Sequence, residues 1–62
     1  MNLKRRTKLR RGIDIIDEVI LDEQDAYNNM PEGIQDSEKG EKMEEGIDNL
    51  NEARDILEEM LN

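Results

Sequence analysis

The chain has 62 residues, a formal net charge of −8, a single aromatic residue, and neither cysteine nor histidine. That composition excludes disulfides, thiolate metal sites, and the side chain that most often serves as general base or transition-metal ligand. A chain this short forms one small domain at most and buries a modest share of its surface, so oligomerisation is the stabiliser that remains.

Charge is split along the sequence. Residues 1–12 carry Lys4, Arg5, Arg6, Lys8, Arg10 and Arg11 and no acid, whereas the rest holds Lys39, Lys42 and Arg54 against seventeen acids. The basic start has no apolar stretch or small-residue cleavage site behind it, as a secretory signal would. The longest apolar run is Val19-Ile20-Leu21, too short to span a bilayer. A cytoplasmic protein with no membrane partner is therefore expected. High charge with few aromatics also fits disorder, but the chain shows helical periodicity that a disordered tail need not have.

From Leu9 the apolar positions are Leu9, Ile13, Ile16, Ile20 and Tyr27, the 4-and-3 spacing of a packed helix. Ile15, Val19 and Ala26 widen this stripe on one flank, which suits a helix covered by more than one neighbour. The pattern predicts a first helix over about 3–28. Gly12 lies within it, at a cost of roughly 1 kcal/mol relative to Ala. Asn28 and Asn29 tolerate the left-handed conformation that often ends a helix, and Pro31 disfavours helix at Met30. Residues 29–36 then read as a turn, with Asp36 or Ser37 capping the next helix. Met30 and Ile34 either plug the end of a helix pair or offer a contact to a partner.

The second helix is predicted over about 37–61, with Met43, Ile47, Leu50, Leu57 and Leu61 in its seam and Ala53, Ile56 and Met60 on its flank. If the helices fold back on each other, facing residues should sum to roughly 67. Arg54, in the seam, would then face Ile13 or Asp14 and fix register as an ion-paired or snorkelling side chain. Lys8 would lie near Glu59, and Arg11 near Asp55 and Glu59. Gly46 suggests close approach of another backbone; simple tolerance explains it as well.

The stretch Asp25–Leu61, D-A-Y-N-N-M-P-E-G-I-Q-D-S-E-K-G-E-K-M-E-E-G-I-D-N-L-N-E-A-R-D-I-L-E-E-M-L, resembles a group of short proteins from phages and prophages of Gram-positive bacteria. The likeness lies in Tyr27, Asn29, Met30, Pro31, Glu32, Gln35, Ser37 and Glu38, and then in the pattern from Glu44 to Glu59. Gly46 stands where such sequences often have Ala. The resemblance implies a setting, the cytoplasm of a bacterial host, and a class of gene whose products commonly bind and inhibit a host enzyme or defence protein.

The acids of the second helix recur at i, i+3 and i+4. Glu41-x-x-Glu44 and Glu52-x-x-Asp55 resemble the magnesium-binding helices of all-α nucleotide pyrophosphohydrolases. Those enzymes place the two motifs on facing helices, however, and here both lie on one. A solvated acidic face explains them better, and no metal or other cofactor is expected. Ser37 and Thr7 have no base to activate them, and no glycine-rich loop opens a helix to cradle phosphate, so catalysis is not expected. The sequence thus predicts an all-α antiparallel two-helix hairpin that dimerises into a four-helix bundle. The expected function is that of a non-enzymatic protein-binding module, an inhibitor of a host protein. Its binding surfaces would be the turn (Met30, Glu32, Ile34, Gln35) and the acidic face of the second helix (Glu44, Glu45, Asp48, Glu52). The alternative is a nucleic-acid-associated regulator that grips phosphates with Arg5, Arg6, Arg10 and Arg11, against which the net charge weighs.

Overall fold

The computed structural model describes all residues, 1–62. It is all-helical, with two long helices packed together: α1 over Leu3–Asn28, a four-residue α2 over Glu32–Gln35, and α3 over Glu38–Glu59. The helices form a rod of 48 × 15 × 13 Å. Its radius of gyration of 14.6 Å exceeds the about 11 Å of a globular chain of this length.

Local chemistry accounts for the boundaries from Asn2 to Ser37. The Asn2 side chain accepts a hydrogen bond from the Arg5 amide at 2.9 Å and caps α1. At the other end Asn29 keeps right-handed helical angles (φ −87°, ψ −5°), and no residue in the chain has positive φ. The left-handed helix ending expected at Asn28 or Asn29 is therefore not used. The last turn tightens instead, with the Met30 amide on the Tyr27 carbonyl at 3.1 Å, and Pro31 stops the helix. Pro31 then opens α2, where its missing N–H costs nothing, and its carbonyl accepts from Ile34 and Gln35 at 2.8 and 3.0 Å. That single helical turn lies within the stretch read from sequence as a plain turn. Ser37 caps α3: its hydroxyl accepts from the Gly40 amide at 3.4 Å and donates to the Ile34 carbonyl.

Packing of α1 on α3 buries Ile13 completely and Ile20 and Ile47 nearly so. Leu9, Ile16, Tyr27, Met43, Leu50, Leu57 and Leu61, the other members of the predicted seams, are half-buried. A rod one helix thick leaves nearly every side chain within reach of solvent, so the core is limited to this one line of contact.

The glycine in close contact is Gly40, and the close approach suggested for Gly46 is not made within the chain. A Cβ on Gly40 would lie 2.6 Å from the Gln35 Cα and closer still to its carbonyl group, whereas one on Gly46 or Gly12 meets nothing within 4 Å. Gly40 lets α2 lie directly on the first turn of α3. The Gln35 side-chain amide, donating from Nε2 to the Tyr27 carbonyl at 2.8 Å, ties the same turn to the end of α1.

Candidate partner-binding surfaces

The cross-helix polar contacts define how the charged surfaces are arranged. Arg54 donates from Nε and Nη2 to the two carboxylate oxygens of Asp17, at 2.7 and 3.3 Å, and from Nη1 to Glu58. Its expected neighbours, Ile13 and Asp14, are thus displaced by about one helical turn. Helical side chains lean toward their own N-terminus, which for Arg54 is the direction of the turn, and its long stem carries the guanidinium up to Asp17. The guanidinium hydrogen bond holds the Asp17 carboxyl below the ordinary 3.8, against partial desolvation and with smaller help from the charges of Arg54 and Arg10. Asp17 in return raises Arg54 further above its already high value.

At the open end the expected pairs through Lys8 and Arg11 do not form. Arg6 donates to the Leu61 carbonyl, which satisfies one of the free carbonyls beyond the end of α3, and Arg10 sits 3.9 Å from Glu58. The helical repeat explains the exchange: residues 6, 10, 13 and 17 fall on the side of α1 that faces α3, while 8 and 11 turn away. Arg6, Thr7, Arg10 and Leu61 line an open cleft of about 260 Å³. Of the proposed basic arm, Arg6 and Arg10 are therefore partly engaged with α3, and Arg5 and Arg11 are exposed.

The turn candidates divide as well. Glu32 and Ile34 are exposed, whereas Met30 and Gln35 are half-buried, and Gln35 spends its amide on the Tyr27 carbonyl. On α3, Glu44, Glu45, Asp48 and Glu52 are all exposed. Among them, Glu44 accepts a hydrogen bond from the Tyr27 hydroxyl at 3.2 Å. Partial burial, then the Glu44 charge and this hydrogen bond, raise Tyr27 above 10.0. No three acidic side chains converge closely enough to hold a metal ion, because residues three and four apart on one helix project side by side, with nothing opposite to close the shell. No helix is long and apolar enough to cross a membrane.

The helical repeat separates two surfaces on α3. Glu41, Glu44, Asp48, Glu52, Asp55 and Glu59 follow one side of the seam, and Gly46, Ala53 and Met60 follow the other, reaching round to Ile56. Of the acidic candidates, Glu44, Asp48 and Glu52 belong to that row and Glu45 lies off its edge, while the apolar flanks of α1 and α3 lie on one common side. The antiparallel direction of α3 decides this, because it sets the side on which its flank falls.

No protein-family model, curated protein or solved structure matches this chain.

Proposed function

We propose that the chain is a small non-enzymatic protein-binding module, in which two antiparallel hairpins pair into a four-helix bundle and present acidic faces to a basic surface on another protein. The observation that carries this reading is the uncompensated charge of the turn half. Residues 18–51 hold eleven acids and two lysines, and Glu45 and Asp48 within them, with Glu52 just beyond, make no ion pair within the chain. Such a surface steers a basic partner and rejects acidic ones. The likeness of Asp25–Leu61 to short phage and prophage proteins points to a host or defence protein in the bacterial cytoplasm as the target, and to inhibition as the outcome. Glu32 and Ile34 extend the surface at the turn.

The test is capture from a Gram-positive bacterial lysate at low and moderate salt, with wild type beside Glu45→Lys/Asp48→Lys/Glu52→Lys. Specific partners retained by wild type and lost by the triple variant support the reading. A partner retained equally by both removes the acidic face from it.

A second reading, a nucleic-acid-associated regulator, is favoured by one observation: Lys4, Arg5, Lys8 and Arg11 stand exposed together at the open end, without an ion pair. It requires DNA or RNA binding at moderate salt that disappears in the Arg5, Arg6, Arg10 and Arg11 to Gln variant. Such a result would displace the first reading.

A further inference from the structure

Running antiparallel, α1 and α3 turn their apolar flanks to the same side of the rod. Ile15, Val19, Ile56 and Met60 are 54, 42, 57 and 56 % exposed, and Ile16, Leu50 and Leu57 are half-buried along the same side. Gly12 and Gly46 lie among them with open space above, so nothing within the chain accounts for a residue as helix-breaking as glycine at Gly46.

The surface left over is of the size that a dimer covers. The chain exposes 4843 Å², against about 4,200 Å² for a compact folded monomer of 7.3 kDa. The surplus of roughly 650 Å² approaches the ~800 Å² that each partner contributes to a standard interface.

Charge then selects the orientation. Residues 18–51, the turn half of the rod, hold eleven acids against two lysines; residues 1–17 and 52–62, the open half, hold seven cations against six acids. Two face-to-face arrangements satisfy two-fold symmetry. Placing both turns at the same end stacks the two acidic halves and repels. Placing the turns at opposite ends lays each acidic half on the near-neutral, arginine-rich half of the other copy.

We infer that a second copy of the chain covers this apolar face, with its turn at the opposite end of the rod, α1 on α1 and α3 on α3. This rests on the paired-hairpin reading above and adds its face, its orientation and its contacts. The middle of the rod is marked by the Asp17–Arg54 pair. Two-fold rotation about an axis at that level brings Ala53 close to its own copy and sets Gly46 beneath the partner subunit's Ile56 and Met60. Gly46 is then the position at which the partner's side chains approach the α3 backbone.

Three sets of variants test it by sedimentation and cross-linking. Val19→Glu/Ile56→Glu alters only exposed side chains and is expected to weaken association at least tenfold. Gly46→Ala favours the helix and fills empty space within one chain, so it guards against a variant that merely unfolds: helicity retained with at least severalfold weaker pairing is expected. Pairing unchanged or tightened in both variants overturns this face while leaving a dimer in place. Under mild oxidation Ala53→Cys is expected to cross-link to its own copy and Gly33→Cys is not; the reverse overturns the orientation. A wild-type chain that remains folded and monomeric overturns the paired hairpin and the face together.

Discussion

The two ends of the rod are held by different physics. At the turn end the chain is fixed sterically and by side-chain hydrogen bonds to the backbone: Gly40 lies against the Gln35 backbone, the Gln35 side chain reaches the Tyr27 carbonyl, and Ser37 caps α3 while bonding back to Ile34. At the open end the helices are held by arginines, through Arg6 on the Leu61 carbonyl and Arg10 near Glu58. A steric contact tolerates no added atom, whereas an exposed ion pair can be lost at little cost. The turn end should therefore respond sharply to single substitutions and weakly to salt, and the open end the other way round.

The largest effect is expected at Gly40. Gly40→Ala forces a methyl group into the Gln35 backbone and should destabilise the fold by roughly 1–3 kcal/mol. Gly33→Ala, two residues from that contact and open on its own side, should be neutral or gain up to about 1 kcal/mol. Urea unfolding followed by circular dichroism separates the two, and equal responses would remove the steric account of the turn.

Arg54 comes next, as the mid-rod link between the two regimes. Arg54→Met should lower the urea midpoint less than Gly40→Ala does, because the apolar stem is kept. The pH response has a definite sign. Asp17 has a depressed carboxyl pKa, so its contribution is complete above the unfolded value near 3.8 and is lost as pH falls through the lower folded value. Acid unfolding of wild type should therefore steepen below pH 3.8, and Arg54→Met should flatten that part of the curve.

At the open end Arg10→Gln should cost less than about 1 kcal/mol in low salt, and that difference should shrink as ionic strength rises. The Gly40→Ala penalty, by contrast, should hold across the same salt series. Unfolding both variants at low and high salt makes the comparison directly.

The smallest effect is spectroscopic. Tyr27 is raised above 10.0 first by partial burial and then by Glu44, so Glu44→Gln should return its absorbance titration only part of the way toward 10.0. The sign for stability follows: the Tyr27 contribution is full below 10.0 and is lost as pH rises through the folded value.

Periodicity made the long helices legible. Ile13, Ile20 and Ile47 are the positions that a 4-and-3 spacing marks for burial, and Pro31 with Ser37 marks the break and the restart. Three details were not legible, each because it depends on direction or distance across the pair. Arg54 meets Asp17 because of the lean of its side chain, which a residue-sum rule ignores. Gly40 and Gly46 look alike in sequence, and only the position of α2 shows which one has a backbone against it. The placement of Arg6 and Arg10, in preference to Lys8 and Arg11, follows from which side of α1 faces α3. Of the candidate surfaces, the acidic row on α3 was readable as spacing, while the internal use of Gln35 required the fold of the turn.

The paired hairpin is the central claim, and sedimentation equilibrium of the wild-type chain over a micromolar concentration series tests it most directly. A folded species of twice 7.3 kDa is expected, with helicity that declines as dilution separates the copies. A fully helical species of 7.3 kDa throughout that range would contradict it.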